Sequence, residues 1–214
     1  MTHFPTTKPQ NPSSIGAAAA KAVFLDRDGT LNIDPGYLDH RDKLRLLETV
    51  GPALQKLKLN GFQLIVVTNQ SGVGRGIIDP QELIEIHRRM DELLRPWDVK
   101  IDYYACCTHR PEDGCPCRKP KPWLLEDSAR RLNIDLSRSY MVGDKPVDLE
   151  AGRNAGTRAS LLVLTGYGSE TALSSGHLAH FIGKDLEAKK LQALERKPIK
   201  AWQMKNEESF KHSK

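Results

Sequence analysis

The stretch Lys21-Ala22-Val23-Phe24-Leu25-Asp26-Arg27-Asp28-Gly29-Thr30 decides how the rest of the chain is read. Val23, Phe24 and Leu25 form an apolar run without alternation, as expected for a parallel strand covered on both faces. Charge arrives only where this strand stops, at Asp26 and Asp28. Ligands of open parallel sheets bind beyond the carboxyl ends of the strands, so both acids would project into a site and not a core. Gly29 lets the backbone turn tightly and approach a ligand closely. Taken alone, the pair equally fits a solvated acidic turn, and the choice depends on what surrounds it.

Outward from this strand, Leu31 to Arg45 is irregular and contains Asp34-Pro35-Gly36-Tyr37, a turn signal with an aromatic beside it, placed to lie over the site. Val50, Ala53, Leu54 and Leu57 fall at helical spacing, and Asn60-Gly61 is a C-terminal stop. Phe62 to Val67 reads as a second continuous apolar strand, ending in the small polar run Thr68-Asn69-Gln70-Ser71-Gly72. Gly72, Gly74 and Gly76 loosen the next loop, Arg75 supplies a cation, and Leu83, Ile86, Met90 and Leu93 line one face of a second helix. The pattern then predicts a strand over Val99 to Tyr104, a helix over Trp123 to Leu132 and a short strand over Tyr140 to Val142 that ends in Gly143-Asp144. A helix over Val147 to Ala155 and a strand over Ala159 to Leu164 complete the alternation. This order predicts an α/β fold, a three-layer Rossmann-like parallel sheet with right-handed crossovers. Only 39 residues separate position 29 from position 67 inclusive, and loop, helix and strand use most of them, so the fold is expected to be capless.

A chain of 214 residues with 39% hydrophobic and 28% charged residues describes one ordinary globular domain. Residues 1 to 20, rich in Thr, Pro, Ser and Ala, are expected to be a disordered leader, followed by the domain over 21–195 and a basic tail over 196–214. Leu186 to Leu194 is expected to form a helix packed on the domain. The formal charge of +5 hints at nucleic acid, but Lys184 to Lys214 holds nine Lys or Arg against five Asp or Glu and so accounts for four of those charges. A basic end is more often a solvating segment than a specific reader of DNA, and no nucleic-acid partner is expected. No apolar run is long enough to span a bilayer. The stretch from Ile15 to Leu25 is broken by Lys21 and runs straight into Asp26, unlike a cleaved signal. The expectation is a cytoplasmic protein with no membrane partner, acting as a monomer.

The strand ends present Asp26 with Asp28, Thr68 with Asn69, and Asp144, while Arg118-Lys119 follows a cysteine-rich loop. In a doubly wound sheet these ends converge on one crevice. A nucleophile, a second carboxylate for proton transfer, hydroxyl and amide donors, a cation and a distant acid are what phosphoryl transfer needs, because the charge on the transferred group must be neutralised before a carboxylate can approach. Hard oxygen ligands point to Mg²⁺. Asp148 fits either a role in this site or a favourable place in the first turn of a helix. All four cysteines, Cys106, Cys107, Cys115 and Cys117, lie in one short stretch without a secretion signal, which favours metal over disulfides. Cys107, His109, Cys115 and Cys117 supply three thiolates and one imidazole at spacings suited to tetrahedral zinc. With four protein ligands such a site is structural and would shape the loop that delivers Arg118 and Lys119. Pairing Cys106 in place of Cys107 would break the Cys-x-His spacing.

Asp26-Arg27-Asp28-Gly29-Thr30, the Thr68 strand end, Lys119, and Gly143-Asp144 with Asp148 resemble, in order and spacing, the four motifs of the haloacid dehalogenase superfamily of aspartate-nucleophile phosphatases. The resemblance implies that Asp26 attacks phosphorus and that Asp28 protonates the leaving oxygen and then activates water. It also implies that Thr68 and Lys119 hold the phosphoryl oxygens and that Mg²⁺ is bound by Asp26, the Asp28 carbonyl and Asp144. Within that superfamily, residues 22 to 166 resemble the zinc-containing heptose bisphosphate 7-phosphatases that serve the making of nucleotide-activated heptose for bacterial surface polysaccharide. The matching stretches are Phe24 to Thr30, Asp34 with Gly36-Tyr37, Thr68 to Gly72, the zinc loop with Arg118-Lys119-Pro120, and Met141-Val142-Gly143-Asp144-Lys145. This likeness would place Asp34, Pro35, Gly36, Tyr37, Thr68, Asn69, Gln70, Ser71, Arg118, Lys119 and Lys145 around a small sugar phosphate. The long leader, the basic tail and the shortened stretch between His109 and Cys115 depart from the family pattern. Rival readings are a histidinol-phosphate phosphatase, a polynucleotide 3′-phosphatase and a zinc-loop binding module without catalysis. Gly36-Tyr37 and Ser71 to Gly76 favour the heptose branch, the missing basic stripe argues against a polymer, and the intact acidic set argues against a non-catalytic module.

Overall fold

The computed structural model describes residues 18–186, and the fold rests on one six-stranded sheet. Its strands are β1 (Lys21–Leu25), β2 (Phe62–Asn69), β3 (Tyr103–Cys107), β4 (Tyr140–Gly143), β5 (Ala159–Val163) and β6 (Phe181–Gly183), in the order β3-β2-β1-β4-β5-β6 with every pairing parallel. The longer helices are α1 (Val50–Leu59), α3 (Pro80–Leu94), α4 (Trp123–Leu132), α5 (Pro146–Asn154) and α6 (Gly168–Ser175), and α2 (Ser71–Gly74) is a single turn. The expected leader, the helix from Leu186 to Leu194 and the basic tail lie outside the described residues, except for residues 18–20 and Leu186. Ala20 already exchanges backbone hydrogen bonds with the segment after α4, donating to the Asn133 carbonyl and accepting from Asp135 N–H, both at 2.8 Å.

β1 is central and wholly buried from Ala22 to Leu25, which explains its unbroken apolar sequence. Alternate residues feed opposite layers. Val23 and Leu25 join Leu54 and Leu57 of α1 and Ile86 and Met90 of α3, whereas Ala22 and Phe24 join Leu124 and Leu125 of α4 and Ala151 of α5. Burying a side chain such as Leu54 or Phe24 contributes about 2 kcal/mol each. The loop from 26 to 49 holds only the 3₁₀ turn Arg41–Lys43, so no folded cap stands between the first two strands. Because the chain leaves β1 towards β2 on one side and returns to β4 on the other, the order of the strands reverses beside β1, where a crevice opens at the carboxyl ends.

Two readings of the sequence needed correction. The third strand pairs over Tyr103–Cys107 and not over Val99 to Tyr104. Val99 and Ile101 are buried against the α1 and α3 layer, so their apolar character reports packing and not pairing. The Asp102 carboxylate accepts from Leu64 N–H at 2.7 Å and pairs with Lys58, which fixes the entry to the strand. Gly72 and Gly74 do not loosen their loop either. They form α2, where an added Cβ at Gly72 would press on Ile78 and Tyr37, and one at Gly74 would meet the Thr108 carbonyl at 2.5 Å. Both glycines serve close approach. The helix α6 and the edge strand β6 were not foreseen.

α3 begins at Asp79, whose side chain accepts from Gln81 N–H at 2.7 Å, with Pro80 in the first turn. On its inner face lies His87, 2% exposed, with its ring stacked on Tyr104 at a centroid distance of 4.3 Å. Burial, reinforced by the Arg27 charge, pushes the His87 pKa down to about 3. The unfolded chain therefore binds a proton below pH 6.5 that the folded chain refuses, and stability falls as pH drops from about 6.5 towards 3 at up to about 1.4 kcal/mol per pH unit from this group. Replacing His87→Gln should flatten that limb between pH 6.5 and 4, measured by urea unfolding at stepped pH.

Candidate active site

Asp26 leaves the end of β1 with its N–H bonded to the Val142 carbonyl at 2.9 Å, so its direction is set by the neighbouring strand. Its Oδ1 accepts from Lys119 Nζ at 2.7 Å. That ammonium also donates to the Val67 carbonyl at 2.7 Å and lies 2.6 Å from Asp148 Oδ1. Lys119, Asp26 and Asp148 are all nearly sealed from solvent. Asn69 grips the lysine backbone from both sides, accepting from Lys119 N–H at 3.1 Å and donating to the Lys119 carbonyl at 3.2 Å. The lysine that follows the cysteine loop is thereby tied to the end of β2.

Asp144 stands at the end of β4. Its Oδ2 accepts from Tyr167 N–H at 2.8 Å, and its backbone carbonyl accepts from the Thr171 hydroxyl at 2.7 Å. Gly29, at φ +86°, sits so close that a Cβ there would collide with the Asp144 carboxylate, a clear reason for glycine at that turn. Asp144 Oδ1 is buried and has no hydrogen-bond partner among the described residues. Asp26, Asp144 and Asp148 bring carboxylate oxygens within 4.8 Å of one another. Burial first, then the charge of Asp148, raises the pKa of Asp26 to about 7 and contributes to raising Asp144 to about 6. For Lys119 burial opposes the charge, but Asp148 and Asp26 outweigh it and push the pKa up. Three acids around one ammonium leave excess negative charge, and the unpartnered Asp144 oxygen is of a kind that can ligate a cation.

The Asp28 carboxylate turns away from this group. Oδ1 accepts from Arg27 Nε at 3.1 Å and Asn32 Nδ2 at 2.9 Å, while Oδ2 accepts from Arg27 Nη2 and Gln70 Nε2, both at 2.8 Å. Burial works against its charge, yet Arg27 and the two amides hold its pKa below the usual carboxylate range. Gln70 also donates to Thr68 Oγ1 at 2.8 Å, which links the proton-transfer candidate to the hydroxyl at the end of β2. At the mouth, Asp34 Oδ2 pairs with Lys145 Nζ at 3.0 Å, and that ammonium lies 4.7 Å from the centre of the Tyr167 ring. Asp34 Oδ1 accepts from Gly36 N–H, which shapes the turn carrying Pro35 and Tyr37. Ser71 opens α2 beside them, and Arg118 donates to the His109 carbonyl at 3.4 Å.

The cysteine loop closes on itself. Cys107 Sγ lies 3.5 Å from Cys115 Sγ and 3.7 Å from His109 Nδ1; Cys117 Sγ lies 3.6 Å from Cys115 Sγ and 3.3 Å from the same nitrogen. These four form one group able to hold a metal ion. Cys106 is not part of it and lies 3.9 Å from His87 Nε2.

Asp26 and Asp28 after β1, Thr68 in β2, Asp144 after β4 and Lys119 from the segment after the cysteine loop therefore meet at one crevice. The structure adds Asp148 to them, and the Asp144–Asp148 spacing of four with Pro146 between was the signal for it. Reasoning from sequence missed Tyr167 and Thr171, which brace Asp144, and the commitment of Arg27 to Asp28.

An all-parallel α/β sheet with buried aspartates and a lysine at its carboxyl ends defines a hydrolase of the phosphoryl-transfer class, and the comparisons agree. The HAD-hydrolase-like family model matches residues 116–189. The D-glycero-beta-D-manno-heptose-1,7-bisphosphate 7-phosphatase of Haemophilus ducreyi is 45% identical over 153 residues, covering 68% of this chain and 84% of that protein. Its counterpart in Escherichia coli K12 is 40% identical over 157 residues, covering 70% and 82%. The crystal structure of D,D-heptose 1,7-bisphosphate phosphatase from B. bronchiseptica, complexed with magnesium and phosphate, superposes with a TM-score of 0.76 at 36% identity, covering 83% of this chain and 99% of that one. The chain belongs to the heptose-1,7-bisphosphate 7-phosphatase family of HAD-like hydrolases, and it is a phosphoric monoester hydrolase. Among the described residues, no helix is long and apolar enough to cross a membrane.

Replacing Lys119→Met should leave Asp26 and Asp148 buried without their shared counter-charge and cost about 3 kcal/mol or more in metal-free protein at pH 8. The loss should shrink towards pH 5, where Asp26 takes up a proton; urea unfolding at both pH values measures it.

Proposed function

We propose that this phosphatase removes the 7-phosphate of D-glycero-D-manno-heptose 1,7-bisphosphate, with the β anomer preferred as in its relatives' name, in the supply of nucleotide-activated heptose. The observation that carries the chemistry is the Asp26 carboxylate held by Lys119 at the end of β1, beside the Asp144 and Asp148 oxygens. The Asp26 carboxylate attacks phosphorus and the bond from phosphorus to the sugar oxygen breaks, while Asp28, ionised in the free site, first takes a proton from the monoanion of the phosphate ester and passes it to that oxygen. Asp28, now a carboxylate, takes a proton from water as the water oxygen attacks the aspartyl-phosphate, which releases phosphate and restores Asp26. Lys119 and the Thr68 hydroxyl stabilise the phosphoryl oxygens. Ser71 with Arg118, Lys145 and the turn from Asp34 to Tyr37 surround the sugar and its second phosphate, while Asn69 and Gln70 act through Lys119 and Asp28, which their amides hold.

Asp26, Asp144 and the Asp28 carbonyl would hold Mg²⁺, a hard cation suited to carboxylate oxygens and to the unpartnered Asp144 Oδ1. When bound it neutralises charge on the phosphoryl group and keeps Asp26 ionised despite its burial. For Cys107, His109, Cys115 and Cys117 we propose structural zinc. Tetrahedral zinc with bonds of about 2.3 Å to sulfur and 2.0 Å to nitrogen sets its ligand atoms about 3.5–3.8 Å apart, close to the spacings in this loop. The site would act on a small sugar phosphate in the cytoplasm.

A phosphate-release panel tests the substrate, using both heptose bisphosphate anomers, histidinol phosphate, fructose bisphosphate and a 3′-phosphorylated oligonucleotide. The β-heptose bisphosphate should lead, and a preference for the oligonucleotide would overturn the sugar reading. Asp26→Asn should lower turnover at least about 10⁴-fold; a near wild-type rate would exclude the covalent route. Metal analysis should find about one zinc per chain, and Cys117→Ser should lose it together with thermal stability. Iron or no metal in the wild-type protein would refute the zinc assignment.

A further inference from the structure

Arg27 stands among the largest fully buried side chains, with no exposed surface. Its only ion pair among the described residues is with Asp28, through Nε to Oδ1 at 3.1 Å and Nη2 to Oδ2 at 2.8 Å. Its Nη1 is buried without a hydrogen-bond partner. Stability alone does not account for this pair, because a buried ion pair can often be exchanged for apolar side chains of similar volume without loss. The surroundings add no competing anion in contact. His87 and Cys106 lie close enough to feel its charge, and both are held in their neutral forms chiefly by burial. The guanidinium is therefore spent on one carboxylate.

We propose that Arg27 is a positioning residue for proton transfer, setting the plane and depth of the Asp28 carboxylate relative to the leaving oxygen. Two parallel bonds from a planar fork define both. Asn32 and Gln70 take one further lone pair on each oxygen, so all four acceptor positions of Asp28 are filled. To give or receive a proton, Asp28 must release one contact. The amide bonds are neutral on the donor side and weaker than those from the guanidinium, so an amide yields while the fork stays. Gln70 is the better placed of the two, since it also touches the Thr68 hydroxyl and would respond when a phosphoryl group arrives there. Lysine at position 27 would keep the charge but lose the fork.

This inference rests on the proposed role of Asp28, and a leaving-group comparison separates the two. A sugar alkoxide needs a proton to depart, whereas nitrophenolate does not. With enzyme in excess and Mg²⁺ present, rapid-quench release of the leaving group isolates the first step for heptose bisphosphate and for p-nitrophenyl phosphate. Asp28→Asn and Arg27→Lys should each slow the sugar substrate about 10²-fold more than the nitrophenyl one, the scale of lost general-acid catalysis, with little change in KM. Equal slowing for both substrates in Asp28→Asn overturns the proton-transfer reading itself. Unequal slowing in Asp28→Asn with equal slowing or none in Arg27→Lys overturns the role of Arg27 alone. Arg27→Gln serves if the lysine variant does not fold. If neither folds, the Arg27 Nε–H resonance of ¹⁵N-arginine-labelled wild-type protein decides: it should shift when orthovanadate and Mg²⁺ are added, and an unmoved resonance counts against the proposal.

Discussion

One ammonium holds this site together. Lys119 bonds to Asp26, lies against Asp148 and donates to the end of β2, so carboxylates from the end of β1 and the first turn of α5 converge on it in a space almost closed to water. Without it, like charges at such short range would drive each other apart or take up protons. With it alone, charge is still out of balance, and the buried, unpartnered oxygen of Asp144 marks where further positive charge belongs. Burial makes these carboxylates expensive to ionise, and Lys119 offsets that cost for Asp26 only in part.

Much of the remaining structure delivers Lys119 to this place. The lysine follows the cysteine loop, in which Cys107, His109, Cys115 and Cys117 bring residues 107 to 117 into a tight knot. Asn69 clamps its backbone, and the close contact of Gly74 with the Thr108 carbonyl lets α2 pack on the same loop. Arg75 pairs with Glu112 across that junction at 3.2 Å. On the other side of the crevice, Tyr167 and Thr171 brace Asp144, and the Thr165 hydroxyl donates to the Gly29 carbonyl, tying the segment after β5 to the turn after β1. Asp28 belongs to a separate network with Arg27, Asn32 and Gln70. Asp26 and Asp28, two residues apart in sequence, thus face different surroundings, and their pKa values move in opposite directions.

The alternation of strands and helices, the unbroken apolar strands and the strand-end acids were legible because each depends on short-range periodicity or on a rule about parallel sheets. The cysteine loop was legible from spacing. The third strand was misplaced because Val99 and Ile101 are apolar for packing, and a run of apolar residues does not distinguish a buried connection from a paired strand. Gly72 and Gly74 were read as freedom and serve contact, a distinction visible only when the neighbours Ile78, Tyr37 and Thr108 are in place.

By itself the sequence determined the class of fold, the absence of room for a cap between the first two strands, the acids at the strand ends and the Cys-x-His and Cys-x-Cys spacings of the cysteine loop. Tertiary structure alone decided that Asp148 shares the Lys119 ammonium, that Asn69 and Gln70 turn inward to Lys119 and Asp28, and that Arg27 is buried against Asp28. The reason is distance along the chain. Lys119 and Asp26 are 93 residues apart in sequence, and which acid shares which cation depends on strand order and register, which no local pattern encodes.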